Sequence, residues 1–222
     1  MNFRLSLVFL VSSLVCPLFA ADTILAELDA AQAARVKLGE QVALREEVAG
    51  KPWPKVRMYQ KANATPEEVA AVFFDYNNAK KYIPDLLKSD ISKRVSPKVQ
   101  EVDYGVDVPI LPDEYYTVRN TVSACEGGAY RFDWLLLKAR QTKASEGNLR
   151  IEPFGEGKAV LCYTNFVTPG SSMASVLKSQ AISRMEATVK AIVRQVETQK
   201  SANPQDLSRQ LEDLRKALKE TP

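Results

Sequence analysis

The chain has 222 residues, of which 45% are hydrophobic, and this is enough for one domain with a sizeable core. It carries 30 Lys and Arg against 27 Asp and Glu, so no strong overall charge would draw it to nucleic acid. The sequence contains no histidine. That absence excludes histidine-based catalytic triads and most zinc hydrolases, and it removes the commonest general base.

Residues 1–20 have the layout of a secretory signal peptide. Arg4 precedes an apolar stretch from Leu5 to Val15, and small residues follow at Ala20 and Ala21. The apolar stretch is shorter than the ~20 residues that a membrane-spanning helix needs. We therefore expect cleavage near Ala20 and a periplasmic or secreted protein.

Two cysteines remain after that cleavage, Cys125 and Cys162. They could pair in an oxidising compartment. The strand pattern places them on non-neighbouring strands, so we expect buried free thiols instead.

The N-terminal half predicts helices and strands in alternation. Residues 21–40 read as a helix that ends at Gly39, and strands are predicted from Gln41 to Val48 and from Lys55 to Ala62. A second helix begins at Thr65-Pro66-Glu67-Glu68, where threonine is the cap, proline takes the first helical position and Glu68 completes a capping box. A short helix from Ala79 to Tyr82 follows it.

From Asp90 onward the apolar residues recur at every second position, which indicates antiparallel strands with one apolar and one wet face. Side chains expected on the apolar face are Tyr104, Val106, Tyr116, Val118, Asn120, Phe132, Trp134, Leu149, Cys162, Thr164 and Phe166. Arg119 has the parity of the wet face, where we expect it between Asp103 and Asp133 in a cross-strand ladder. A one-residue bulge would instead turn Arg119 inward.

Two helices are predicted at the C-terminal end. The stretch from Ser171 to Gln199 is long and amphipathic, with Arg184 on its polar face. Asn203-Pro204 begins another helix, whose leucine stripe spans only two heptads. The stripe favours docking on the same molecule over dimerisation, so a monomer is favoured while the oligomeric state stays open.

From Lys55 to Val196 the predicted order is a strand, two short helices, six strands and a long helix. This order resembles the START-like (SRPBCC) superfamily. The segments that carry the resemblance are Ala64-Thr65-Pro66-Glu67-Glu68-Val69, Phe74-Asp75-Tyr76, Tyr82-Ile83-Pro84, Leu111-Pro112-Asp113-Glu114-Tyr115-Tyr116-Thr117-Val118-Arg119 and Thr168-Pro169-Gly170-Ser171.

The resemblance implies an α+β helix-grip fold, in which a curved antiparallel sheet of about seven strands wraps round a long C-terminal helix. The START-like domain would span residues 41–200. It would lie between an N-terminal helix at 21–40 and a C-terminal helical extension at 201–222.

The resemblance also implies a deep apolar cavity between the sheet and the helix. Members of the superfamily include lipid-transfer domains, polyketide cyclases and coenzyme Q-binding proteins. We therefore expect a non-enzymatic protein that binds, and carries, a lipid, quinone or isoprenoid without a cofactor or a metal. The helical residues Phe73, Leu177 and Met185 complete the expected ligand-binding set. Tyr82, Ile83 and Leu86 are expected at the entrance. This apolar segment and the nearby lysines would allow transient contact with a membrane surface, while lysines on an exposed helix are usually only solvated.

Two alternatives remain open. A cyclase-like enzyme would need a positioned base, and no pair of acidic, lysine or tyrosine side chains stands out on the apolar face. A protein-interaction module would have a solid core. The polar groups of Tyr104, Tyr116, Asn120, Trp134 and Thr164 favour a cavity, because each buried unpaired group costs about 1–3 kcal/mol.

Overall fold

A computed structural model describes residues 23–108, 112–170 and 177–219. The predicted signal peptide, and the predicted start of the long helix at Ser171, lie outside these ranges. Within them, no helix has the length and apolar character needed to cross a membrane.

The strands are β1 (Val42–Glu46), β2 (Lys55–Ala62), β3 (Leu86–Ser96), β4 (Val99–Val106), β5 (Glu114–Ala124), β6 (Tyr130–Ala139), β7 (Thr142–Pro153) and β8 (Ala159–Pro169). The α-helices are α1 (Ala30–Leu38), α2 (Pro66–Phe74), α3 (Lys178–Ala202) and α4 (Pro204–Lys219). Short 3-10 helices span Ile24–Glu27, Tyr76–Lys81 and Glu126–Gly128.

The helix ends follow the sequence signals. Thr65 and Glu68 form the predicted capping box of α2, with hydrogen bonds of 2.7 and 3.2 Å between each side chain and the other residue's backbone N–H. Gly39 ends α1 with a φ of 96°, a left-handed conformation that favours glycine. The single helix predicted over residues 21–40 is in fact a 3-10 turn followed by α1, because Asp29 caps a new helix at Ala30.

The strands form one antiparallel sheet in the order β1-β2-β8-β7-β6-β5-β4-β3. There are eight described strands rather than about seven, since β1 adds to the edge at β2. The curved sheet carries α3 on its inner face, so the predicted α+β helix-grip architecture is confirmed. Strand β3 forms the other edge, and its pairing with β4 is interrupted at three positions.

Arg119 lies on the outer face as predicted, but its partner differs. Glu101 stands opposite it and forms an ion pair of 2.7 Å, while Asp133 pairs with Arg131 instead. The expected ladder of Asp103, Arg119 and Asp133 is therefore wrong. Both hairpins pair two residues away from the assumed registers, so Arg119 stands opposite Glu101 rather than Asp103 and opposite Leu135 rather than Asp133.

Helix α4 docks on the same molecule, as its leucine stripe predicted. Leu207 and Leu214 are buried in the main core between the sheet and the helices. Arg215 on α4 also forms a paired hydrogen bond with Glu67 on α2, at 2.6 and 2.7 Å. This contact lowers the pKa of the Glu67 carboxyl group.

A second core lies on the outer face of the sheet. The N-terminal 3-10 helix and α1 cover β2 and β8 there, and Ile24, Val36, Tyr59 and Cys162 are all buried between them. Cys162 and Cys125 are both free thiols, as predicted. Cys125 is exposed rather than buried, because it immediately follows β5 at the turn to β6.

Candidate functional site

A cavity of about 330 Å3 lies between the inner face of the sheet and α3. Liquid water takes roughly 30 Å3 per molecule, so this space exceeds a gap for a few waters. The wall formed by the sheet includes Val106, Tyr116, Val118, Trp134 and Tyr163. The wall formed by α3 includes Leu177, which immediately precedes the helix, and Ala181, Met185 and Thr188.

Aromatic rings form most of the floor. The ring centroids of Trp134 and Tyr163 are 5.0 Å apart, and those of Tyr104 and Tyr116 are 5.5 Å apart. Gly147 lies beneath Trp134 on the neighbouring strand β7. A methyl group at Gly147 would overlap both the Trp134 ring and the backbone carbonyl of Thr164, so the indole position depends on this glycine.

One row of the sheet brings polar amides to the same apolar face. Across neighbouring strands, Asn165 stands opposite Gly147, Gly147 opposite Trp134, and Trp134 opposite Asn120. Asn120 and Asn165 both line the cavity. The side-chain nitrogen of Asn120 and the side-chain oxygen of Asn165 are buried, and neither has a hydrogen-bond partner. Two unsatisfied groups thus flank the indole.

Three tyrosines present hydroxyl groups in the same region. Enclosure by protein raises the pKa of Tyr104 and of Tyr163, and the neighbouring tyrosines raise both further. Enclosure likewise raises the pKa of Tyr116 to about 12, with an added contribution from Glu114. All three hydroxyls therefore stay neutral near pH 7, where each remains both a donor and an acceptor.

The described lining contains two charged side chains, and both are already engaged. Glu114 accepts hydrogen bonds of 3.0 Å from the backbone N–H groups of Gln141 and Thr142. Arg184 forms an ion pair of 3.2 Å with Asp85 and donates to the carbonyl of Asp107. Glu114 thus holds the end of the β6–β7 loop, where β7 begins, and Arg184 holds the mouth of the cavity.

Asp85 has a φ of 60°, in the left-handed region that non-glycine residues seldom adopt. This turn brings its carboxylate towards α3 and its carbonyl towards the N–H of Asp107, at 3.0 Å. Arg184 thus joins α3 to two segments, the turn before β3 and the end of β4. We call the contacts among Asp85, Asp107 and Arg184 the mouth clamp.

No family model and no curated protein matches this sequence. Solved structures do match it. A STAR-related lipid transfer protein from Xanthomonas axonopodis has a TM-score of 0.63 at 17% identity, covering 71% of this chain and 93% of its own. Human STARD10 has a TM-score of 0.59 at 16% identity, covering 74% of each chain. The Zhui aromatase/cyclase from Streptomyces sp. R1128 has a TM-score of 0.57 at 16% identity, covering 67% of this chain and 96% of its own.

This chain has the START-like, helix-grip fold. The likeness extends over about two-thirds of the chain or more in each case. At these identities the likeness shows the fold alone, and the residues that line the START-like cavity determine its chemistry.

The START-like cavity brings together many of the residues expected at a ligand site. Those that line it are Phe73, Tyr104, Val106, Tyr116, Val118, Asn120, Trp134, Leu177 and Met185. Ile83 and Leu86, expected at the entrance, line its mouth together with Arg184. Tyr82, expected with them, is absent from the described lining and points its hydroxyl group at the carbonyl of Val72, 3.5 Å away.

Other expected residues lie elsewhere in the fold. Phe132 and Leu149 face inward but are fully buried in the main core. Cys162, Thr164 and Phe166 have the opposite parity on β8 from the residues that line the cavity. Placing these three on the cavity face was wrong, since β8 points Tyr163, Asn165 and Val167 inward instead.

The sequence prediction also missed polar residues of the cavity, chiefly Glu114, Thr142, Ser145, Asn165 and Arg184. One signal was available for β8. Apolar side chains occupy both parities there, with Val160 and Cys162 on one side and Leu161 and Tyr163 on the other. Such a strand is covered on both faces, so alternation alone does not reveal which face meets the ligand.

Proposed function

We propose that this protein binds a hydrophobic small molecule, such as a lipid, a quinone or an isoprenoid, and carries it in the cavity beneath α3. The observation that supports the proposal is an aromatic-lined cavity in which two buried polar side-chain atoms lack hydrogen-bond partners. A solid core would leave such groups unsatisfied at about 1–3 kcal/mol each, whereas a guest can satisfy them. Lipid transfer proteins among the similar structures are consistent with this reading.

The volume fits one small guest. Ligand sites commonly occupy about 300–1,000 Å3, and this cavity of about 330 Å3 lies at the lower end. Affinity would come mainly from apolar burial, at roughly 25 cal/mol per Å2, while the few polar groups would set orientation.

A cyclase-like enzyme is the other candidate, since an aromatase/cyclase shares the fold. General acid–base catalysis needs a group that can reach the substrate and exchange a proton with it. Glu114 is held by two backbone N–H groups and Arg184 by the mouth clamp, so carriage is better supported than catalysis.

Uptake of a neutral fluorescent dye, Nile red, tests the proposal. Trp134→Ala and Tyr116→Ala should weaken dye binding more than they lower the melting temperature, because both side chains line the cavity. Leu135→Ala is the matched control, since Leu135 lies on the same strand but is 56% exposed on the outer face. Parallel losses of dye binding and of stability in the cavity variants would indicate plain core packing.

Native mass spectrometry of the protein purified from its own cells would identify the guest. A co-purifying apolar molecule that is lost from the Trp134→Ala variant would support carriage. A mass equal to that of the bare polypeptide in every preparation would count against it.

We also propose that the protein is exported and works at a membrane surface as a monomer. Support comes from the N-terminal sequence and from Leu87, which is 52% exposed next to Leu86 at the mouth. N-terminal sequencing of the mature protein should find cleavage near Ala20. Leu87→Glu should reduce co-sedimentation of the protein with liposomes. Unchanged co-sedimentation would show that the mouth of the cavity does not contact the membrane.

A further inference from the structure

The groups that line the cavity determine which charge a guest can carry, and this inference rests on the proposed function. Burying a charged group is unfavourable unless an opposite charge or several hydrogen bonds compensate it. A guest with a carboxylate, a phosphate or an ammonium group would therefore need an uncommitted opposite charge in the lining of the cavity.

No such charge is present among the described residues that line the cavity. Arg184 is committed to Asp85 and to the carbonyl of Asp107, and Glu114 is committed to two backbone N–H groups. The internal segments 109–111 and 171–176, outside the description, contain no lysine or arginine. An anionic guest would therefore gain no free cation and would share the cavity with the Glu114 carboxylate.

The uncommitted polar groups of the lining are neutral. Asn120 and Asn165 each have a buried side-chain atom without a partner, on either side of Trp134 in the same row of the sheet. The hydroxyl groups of Tyr104 and Tyr116 add further neutral donors and acceptors. An amide and a hydroxyl group can bind a carbonyl or hydroxyl oxygen without leaving a buried charge.

We infer that the guest carries neutral oxygen groups, as an alcohol or a hydroxyketone does, and that these groups are bound on opposite sides of the Trp134 indole. The side-chain N–H of Asn120 donates to a carbonyl or hydroxyl oxygen, and the side-chain oxygen of Asn165 accepts from a hydroxyl group. Lipids whose only polar group is a carboxylate, a phosphate or an ammonium are bound poorly. Selection acts through desolvation, because a charged head group would lose its water without gaining a counter-charge.

Matched ligands that differ only in the head group test the inference. At about pH 8, dodecanol should displace Nile red at least about tenfold more effectively than dodecanoate or dodecylamine, because only the alcohol enters uncharged. Lowering the pH to about 5 should narrow the gap for dodecanoate alone, as its carboxyl group becomes protonated. Equal or tighter binding of dodecanoate at pH 8 would overturn the inference while leaving carriage intact, whereas failure of Nile red and of all three ligands to bind would overturn the proposed function itself.

Amide variants test the two residues. A single hydroxyl group cannot reach both amides, because Asn120 on β5 and Asn165 on β8 lie three strand spacings apart. At least one of Asn120→Leu and Asn165→Leu should therefore weaken dodecanol binding by about five- to tenfold, because a hydrogen bond to the alcohol is lost. Their folded state should persist, since each change removes a buried group that has no partner in the protein.

Asn148→Leu is the matched control. The side-chain oxygen of Asn148 is also buried without a partner, but Asn148 is absent from the described lining and has the opposite parity to Gly147 on β7. It should leave dodecanol binding unchanged. Wild-type affinity in both the Asn120→Leu and Asn165→Leu variants, or an equal loss in Asn148→Leu, would show that the amides do not contact the guest.

Discussion

The stability of the fold depends on the pKa values of three single residues, Tyr104, Tyr116 and Tyr163. An unfolded chain leaves a tyrosine hydroxyl near its ordinary pKa of about 10. In the folded protein the pKa of all three is raised because protein encloses the hydroxyls. The folded state therefore holds these protons more tightly than the unfolded state does.

This difference predicts the alkaline stability of the protein. The stabilisation that comes from these protonated hydroxyl groups is complete below about pH 10. It is lost as the pH rises through the pKa values of the folded state, which for Tyr116 means about 12. Urea unfolding should show a decline in the free energy of unfolding across that window. Tyr116→Phe should make the decline shallower, while the exposed Tyr115→Phe should not. A flat profile up to pH 12 would show that the hydroxyls are not enclosed.

Individual polar residues were the least predictable part of the site. Arg184 has the helical position of a solvated residue, yet an aspartate in a left-handed turn approaches α3 and engages it at the mouth. Asn120 was identified because it interrupts an apolar strand face. Asn165 was not, since its strand has apolar residues on both faces.

At the scale of elements, signals that act within one turn predicted the structure well. The capping box of α2 and the glycine after α1 depend on neighbouring residues only, and both are found. The inward face of β8 depends instead on which elements cover it. The N-terminal helices bury Val160 and Cys162 on the outer side, and no local pattern reveals that cover. The cross-strand partners predicted for Arg119 were wrong for a similar reason, because the positions of the turns set the pairing registers.

The mouth clamp predicts how fast the guest leaves. Arg184→Gln removes the ion pair with Asp85, so the turn before β3 should separate from α3 more often and release should accelerate. Stability should change by only about 0–1 kcal/mol, because both partners are partly exposed. Stopped-flow release of Nile red measures the rate.

Arg45→Gln provides the control for the clamp. It removes another ion pair to α3, between Arg45 and Glu186 at 3.8 Å, and neither residue is in the described lining of the cavity. Its release rate should match that of the wild type. Identical rates in the Arg184→Gln variant would indicate that the clamp does not control the mouth.

At the scale of the whole molecule, α4 is a structural part of the domain rather than a free appendage. Leu214 is fully buried against the main core. Leu214→Ala should lower the free energy of unfolding by about 2–5 kcal/mol, as cavity-forming core changes do. The Leu211→Ala control should cost less, because Leu211 is only partly buried. Light scattering should show a monomer for the wild type and for both variants. A wild-type dimer that either change abolishes would instead assign the leucine stripe of α4 to self-association.

Strand β3 forms an edge of the sheet that the 3-10 helix Tyr76–Lys81 covers only in part, and this edge affects the behaviour of the protein in concentrated solution. An exposed strand can recruit the backbone of a second polypeptide and so seed fibrils. Here the three interruptions break the regular spacing of donors and acceptors, and Lys88, Lys93 and Arg94 add mutual repulsion along the same strand. Straightening this edge by regularising its pairing and replacing those cations with threonine should promote the formation of amyloid-like deposits.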